Sequence, residues 1–371
     1  LLRRERGFVL PFDFQLDFLQ AKMPSLIGVD ISSSSVKMVE LGEVGKGQYR
    51  VEHYAIELLP RDAVADGNIA NLDAVSDCVR RAWKHMGTRV KNVAVALPAA
   101  AVITKKIAVH TGLREEELEV HVEAEANQYI PFSLDEVNLD FQILGPAPGD
   151  GSEVELLIAA SRKEKVEDRV AAVEAAGLKA LVMDVETYAT QTAADRIIAQ
   201  LPNGGRDRAV AIIDIGSTMM HINVLLNEQS VYMREQTFGG NQLTQEVQRR
   251  YSLSAEEAEI AKRGGDLPEN YTAEVLQPFM DTLALEVARA MQFFFSSTQY
   301  NRVDYILLAG GCASIPGLDQ VVTSRTQIDT RVANPFVGMA PNAKLKANQL
   351  EMDAPSLLIA CGLAMRSFDP T

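Results

Sequence analysis

Two segments of this chain share a pattern that carries chemistry. In Ile27-Gly28-Val29-Asp30-Ile31-Ser32-Ser33 an apolar run reaches an aspartate and passes into small hydroxyl residues. Ile212-Ile213-Asp214-Ile215-Gly216-Ser217-Thr218 does the same. A strand–turn–strand hairpin with Gly, Ser or Thr at its tip exposes several backbone N–H groups, and these, with the hydroxyls, can hold phosphate oxygens. Ser32, Ser33, Ser34 and Ser35 supply the first tip; Gly216, Ser217 and Thr218 supply the second. Asp30 and Asp214 lie at strand ends, where two carboxylates can hold a hydrated Mg²⁺ that keeps most of its water. Lys37, on the strand leaving the first hairpin, can reach a phosphate. One such hairpin alone is more often an ordinary turn, whereas two in corresponding places suggest two related lobes. A third element is Gly310-Gly311-Cys312-Ala313-Ser314-Ile315-Pro316-Gly317. Its paired glycines let the backbone approach a flat ring closely. Taken alone, it also fits a plain strand-to-helix loop.

The elements that must position these residues follow from periodicity. Strands are expected at 26–31, 36–41 and 49–58, a helix at 73–86 and a strand at 93–97. Residues 102–177 have a different texture: a strand (102–109), an acidic helix (114–130) stopped by Pro131, two strands (137–144 and 154–160) and a trailing helix ending at Gly177. A strand at 178–185 and a helix at 186–200 lead to the polar, Gly-rich segment 202–208, and then the opening theme returns as strands at 209–215, 220–226 and 230–237. Helices fill 242–295, a buried strand at 305–309 enters the double glycine, and a last helix spans 356–366. Phe293-Phe294-Phe295 reads as packing of a helix into the second lobe's core, and Trp83 as packing too.

Composition bounds the function. The chain has 371 residues, 47% of them apolar, and a formal net charge of -14, a balance that argues against nucleic acid as a partner. Cys78, Cys312 and Cys361 are far apart and fit a reducing compartment. The five histidines show no metal-ligand spacing. Nothing reaches the 18 apolar residues of a membrane span. Residues 1–23 read as an extension outside the fold; the sharper alternative is an amphipathic segment that touches a membrane or partner.

Taken in this order, the three elements resemble the actin-like ATPase superfamily. Asp30 to Lys37 is similar to its first phosphate loop, Asp214 to Thr218 to its second, and Gly310 to Gly317 to its adenosine loop. Asp184-Val185-Glu186-Thr187-Tyr188-Ala189 and Ala354 to Arg366 look like the two connections between lobes, with Gly362 at a close helix contact. The resemblance implies an α/β, two-lobed fold with ribonuclease H-like lobes. It also implies ATP and Mg²⁺ as cofactors, Asp30 and Asp214 facing the metal through water, and Glu186 ordering the attacking water. Glu259 and Lys262 resemble the residues that flank ribose and adenine, completing a set with Gly310, Gly311, Cys312 and Ile315. The implied organisation is a first-lobe core at 24–101 and 178–202, an inserted strand-helix-strand-strand subdomain at 102–177, second-lobe segments at 207–240, 241–302 and 303–353, and a return to the first lobe at 354–371.

The inserted subdomain, Glu123 to Phe132 and Gly28 to Leu41 are most similar to the PilM family of type IV pilus assembly proteins. That likeness implies a cytoplasmic adaptor at the inner face of the inner membrane. It would dock the N-terminal cytoplasmic tail of PilN, act within the PilN/PilO complex, extend to the pilus ATPases, and meet the membrane through partners. Any ATPase activity is expected to be slow: Ser32, and Ser217 with Thr218, replace residues that are glycine or Asp-Gly in many relatives. Two other classes compete. A cell-division-type actin-like protein that polymerises at the membrane usually ends in a basic amphipathic helix, which Arg366 to Thr371 does not resemble. A small-molecule kinase of the same superfamily needs an additional catalytic aspartate in the first lobe, and no such motif stands out.

Overall fold

The computed structural model describes residues 8–9, 24–45, 47–147, 149, 151–265 and 267–369. The chain forms two compact units, Leu1–Thr190 with Ile359–Thr371, and Gln191–Leu358.

In the first unit, β1 (Ile27–Ile31), β2 (Ser35–Gly45) and β3 (Gln48–Leu58) form an antiparallel meander. Helix α1 (Leu72–Met86) follows; the Asn71 side chain accepts a bond from the Ala74 N–H at its start, and left-handed Gly87 ends it. β4 (Asn92–Leu97) then lies parallel to β1. The insert comes next: β5 (Val102–His110), α2 (Glu115–Tyr129), β6 (Val137–Pro146) and β7 (Glu153–Arg162). Its strands pair antiparallel in the order β5-β7-β6, and α2 covers one face through Leu118 and Val122, packed on Val109, Leu156 and Ile158. α3 (Lys163–Ala175) returns the chain to the main sheet, where β8 (Lys179–Val185) lies parallel to β4. The unit's sheet therefore runs β8-β4-β1-β2-β3. Phe8–Val9 pairs antiparallel with β8 at its outer edge. The rest of the expected extension 1–23 lies outside the described residues.

α4 (Glu186–Ile198) leads into the second unit, whose strands are β9 (Ala209–Ile215), β10 (Met220–Leu226), β11 (Gln229–Gln236), β12 (Tyr305–Ala309) and β13 (Asp329–Val332). Their order is β11-β10-β9-β12-β13, with an antiparallel meander on one side of β9 and parallel strands on the other. This is the order and direction of the five main strands in the first unit's sheet. The repeated Asp-led motif thus marks a repeated sheet. Helices α5 (Gly240–Tyr251), α6 (Ala255–Gly264), α7 (Gln277–Ser297), α8 (Leu318–Thr326) and α9 (Ala347–Asp353) complete the unit, and α10 (Leu358–Met365) carries the chain back. Its core joins Ile213, Ile215, Ile222, Leu283, Val287 and Phe294.

The Phe293-Phe294-Phe295 run splits because successive helical residues face about 100° apart. Phe294 is fully buried, while Phe293 is 48% exposed beneath the Arg234 guanidinium, 3.8 Å from its ring. Trp83 packs against the first core and donates from Nε1 to the Val90 carbonyl at 2.9 Å. Among the described residues no helix is long and apolar enough to cross a membrane.

The last β8 residues and the C-terminal helix form a close seam in the first unit. Asp184, fully buried, pairs with Arg366 at 2.5 Å, and Arg366 also reaches Asp369 at 3.1 Å. Burial pulls the Arg366 guanidinium down, and Asp184 more than reverses this, so its proton is held above the ordinary range. Gly362 lies directly against Ala189: a Cβ there would sit 1.8 Å from the Ala189 carbonyl oxygen.

Candidate functional site

In the first unit the site is built on the β1–β2 hairpin. Asp30 and Lys37 stand opposite each other in the ladder, and Lys37 Nζ donates to Asp30 Oδ2 at 2.8 Å. Asp30 is only 2% exposed. The tip is braced from within: the Ser32 N–H and hydroxyl both reach the Ser35 carbonyl, at 3.0 and 2.9 Å. The Ser34 carbonyl accepts from the Leu59 N–H at 2.9 Å, fastening the tip to the end of β3. Glu186 is the first residue of α4, half-buried. Beneath the hairpin lies Arg169 of α3, which is buried and donates to the carbonyls of Ile31 and Gly67, each at 2.8 Å. Burial lowers the Arg169 proton affinity, and the nearby charges of Glu186, Asp30 and Asp168 oppose that. Asp30, which pairs with Lys37, and Glu186 thus both act on one buried cation that is bonded to the base of the hairpin tip.

The second unit carries the matching hairpin β9–β10. Gly216 closes its tip by donating to the Met219 carbonyl at 2.9 Å. The start of α5 is tied to that tip, since the N–H of Gly240 donates to the Gly216 carbonyl at 3.0 Å and that of Asn241 to Ser217 at 2.8 Å. β12 runs beside β9 with Ala309 level with Asp214. The chain then turns at Gly310, whose φ is 82°. A Cβ at Gly310 would lie 2.4 Å from Asp214 Oδ1 and 2.4 Å from the Ile215 carbonyl oxygen, so glycine is required at position 310, where two loops cross. At Gly311 nothing lies within 4 Å of a Cβ, and that position opens outward.

Cys312 is 7% exposed and its thiol points at the Gly216 carbonyl, 3.6 Å away. Burial pushes this thiol up to about 12, so it stays protonated and serves packing rather than nucleophilic chemistry. Ile315 packs partly into the core. Cys312 and Ile315 thus both turn their side chains toward the core of the second unit. Lys262, Asp214 and Glu259 all act electrostatically on Cys312; Thr244, which bonds both Glu259 and Lys262, sits on α5, whose first residue Gly240 is bonded to the Gly216 tip. Lys262 Nζ donates to Glu259 Oε2 at 2.6 Å and to Thr244 Oγ1 at 2.9 Å, and Arg263 donates to Glu259 Oε1 at 2.8 Å. Burial raises the Glu259 carboxyl, and Lys262 with Arg263 more than reverses that, holding it down at about 2. The carboxylate is therefore ionised at any neutral pH.

Three further contributors are not singled out by the Asp-led or glycine motifs. Arg169 and Thr244 are ordinary residues on amphipathic helices, and only packing brings them to the hairpins. Gly239-Gly240 had a visible signal, a glycine pair opening a helix. A Cβ at Gly239 would lie 2.5 Å from the Ser217 carbonyl oxygen.

Two units with one repeated sheet, each presenting an Asp-led hairpin, define an actin-like ATPase fold. Solved structures of the same fold include the ethanolamine utilization protein EutJ from Carboxydothermus hydrogenoformans (16% identity, 96% of this chain and 92% of that one, TM-score 0.54). The diol dehydratase-reactivating factor in its nucleotide-free form matches at 9% identity, over 92% of this chain and 99% of that one, with TM-score 0.52. The family model for the type IV pilus assembly protein PilM matches residues 28–368, and the chain belongs to that family. Its similarity to the solved PilM-PilN type IV pilus biogenesis complex is 27% identity over 94% of this chain and 100% of that one, with TM-score 0.76.

Proposed function

We propose that this chain is a nucleotide-binding adaptor of the type IV pilus inner-membrane complex, which docks the N-terminal tail of PilN and changes its hold on that tail with bound nucleotide. The observation that carries the reading is the likeness, across nearly the whole of both chains, to the PilM of a PilM-PilN complex. That likeness favours an assembly adaptor over a cell-division filament or a kinase. On this reading the protein works at the cytoplasmic face of the inner membrane and meets the membrane through PilN and PilO, with pilus ATPases as further contacts.

The residues present fit a nucleotide. The two hairpin tips offer main-chain N–H groups and hydroxyls to phosphates, with Lys37 as the nearby cation. The main chain of Gly310 and Gly311 offers a flat approach to a base, and Glu259 with Lys262 offers ribose partners. Asp30 and Asp214 would hold Mg²⁺ through its water shell, consistent with a cation that dehydrates reluctantly. Bound ATP would supply a free-energy difference between two states of the chain, which a docked partner can exploit only through unequal affinity for them. Glu186, at the start of α4, would order the attacking water in a slow ATPase.

The test is titration of the full chain with a peptide of the PilN cytoplasmic tail, with and without Mg-ATP. Peptide affinity that shifts with nucleotide is the expected outcome, because coupling between two sites is reciprocal. Nucleotide binding without peptide binding would remove the adaptor role. Asp30→Ala and Asp214→Ala should each weaken Mg-ATP, and unaltered affinity in both would remove the two-hairpin site.

A further inference from the structure

Arg169 is a cation in an expensive place. Its side chain is 3% exposed, and its fork is committed to main chain, one Nη to Ile31 and the other to Gly67. Desolvating a guanidinium is costly, and an apolar residue would fill the same place on α3 without that cost. The two carbonyls explain what a leucine or methionine could not do. Ile31 is the last residue of β1, between Asp30 and Ser32, so its carbonyl sets the direction in which the hairpin tip leaves the sheet. Gly67 is the left-handed turn (φ 74°) of a small hairpin formed by Val64–Ala65 and Asn68–Ile69. That turn, with Asn68, Pro98, Asp168 and Arg169 itself, lines a small cavity in the same unit. One planar group therefore bridges the tip and a cavity wall far from it in sequence.

We propose that Arg169 is a positioning residue for nucleotide phosphate: by tying Ile31 to the Gly67 turn it holds the first hairpin in its phosphate-accepting shape. The inference rests on the reading above that this hairpin receives phosphate. It adds that the hairpin's shape is set from behind, by a residue with no ligand contact of its own, and that the cavity wall and the phosphate loop move as one. A guanidinium suits this role because its donors are fixed in a plane, whereas an ammonium is a single point that reaches one carbonyl at a time.

The experiment compares the affinities of the full chain for Mg-ADP and for adenosine in the wild type, Asp30→Ala, Arg169→Met, Arg169→Lys and Gly67→Ala, at a temperature where circular dichroism shows each variant folded. Adenosine lacks the phosphates, so a fault confined to the first hairpin leaves its affinity alone. Arg169→Met should weaken ADP about tenfold or more, the loss expected for a charged hydrogen bond to the main chain. Arg169→Lys should fall between Met and wild type, and Gly67→Ala should weaken ADP in the same direction. Where Arg169→Met does not fold, Arg169→Lys and Gly67→Ala carry the comparison. An ADP-to-adenosine affinity ratio at the wild-type value in the Arg169 variants, with only a lowered melting temperature, would overturn the proposal and leave Arg169 as a fold staple. If Asp30→Ala weakens ADP in that same experiment, the phosphate reading survives and this inference alone fails. If the wild type binds no ADP, the phosphate reading fails and takes this inference with it.

Discussion

Replacing Gly362 by alanine sets two effects of similar size against each other. Gly362 lies within α10, and alanine is favoured over glycine in a helix interior by about 1 kcal/mol. Against this stands the seam with α4. The new Cβ would lie 1.8 Å from the Ala189 carbonyl oxygen, 2.6 Å from its carbon and 3.0 Å from its Cα. All three atoms are backbone, so no rotamer change relieves the clash. Real Cβ contacts essentially never fall below 3.0 Å, so the two segments must part by about 1.2 Å (3.0 minus 1.8). The layer they would pull apart is buried: Ala94, Ala96 and Ala189 pack there with Leu26, Val182 and Leu363. Overpacking of this kind costs about 1–3 kcal/mol, and a clash with rigid backbone belongs at the upper end. The clash wins, by about 1–2 kcal/mol net. The assay is urea denaturation followed by tryptophan fluorescence. Trp83 is the chain's one tryptophan and lies in α1 of this unit, so the signal reports the unit that holds the seam. The midpoint should fall with little change in slope. A midpoint at or above that of the wild type would mean that helix propensity prevails and that the seam is not closed to this distance.

Other perturbations separate the remaining ideas. Asp184→Asn should destabilise by about 3–5 kcal/mol, since it strips a buried guanidinium of its main partner, while Asp184→Asn with Arg366→Met should recover much of that loss; additive losses in the same urea assay would count against a coupled pair. Glu259 is held down at about 2 from an ordinary 4.5, so the stability it contributes is present above that ordinary value and is lost as pH falls from there toward 2. Calorimetry of Glu259→Gln should show less acid-induced loss in that window, and an unchanged profile would deny the carboxylate that role. Gly311→Ala should leave the melting temperature near the wild-type value, because its Cβ meets nothing within 4 Å, while weakening ADP if the loop faces a base. Full ADP affinity in that variant would detach Gly311 from the site.

What was legible in the sequence was whatever lies close together along the chain. The Asp-led hairpins declared themselves because an apolar strand, an aspartate and small turn residues are consecutive, and the repeat of that string announced a repeated sheet. The insert was legible for the same reason, with Leu118, Val122 and Ala126 on one helical face and all three residues buried. Contacts made by packing were not. Arg169 reaches a carbonyl 138 residues away in the chain, and nothing about an arginine on a charged helix distinguishes it. Thr244 joins Glu259 across two helices. Phe293 shows the limit of composition: three phenylalanines in a row look like core, yet helix geometry cannot turn all three inward.

Under the proposed function, the departures at the hairpin tips acquire a physical sense. At position 32, where the superfamily resemblance leads one to expect glycine, the serine hydroxyl donates to the Ser35 carbonyl at 2.9 Å, alongside the main-chain bond to the same oxygen. The added atoms stiffen the turn from within. At the second tip the flexibility that glycine would bring is absent from Ser217 and Thr218, and glycines stand around the tip instead. Gly239 and Gly310 are the positions where a Cβ would strike the tip's own carbonyls or the Asp214 carboxylate, at 2.4–2.6 Å. The first tip is thus held by its own Ser32 hydroxyl, and the second by main-chain bonds from Gly240 and Asn241, with glycine neighbours allowing the close approach. Hairpins braced in this way lose little conformational freedom when a phosphate arrives, which favours binding. On the proposed reading, such hairpins would suit a nucleotide whose binding sets a state of the chain.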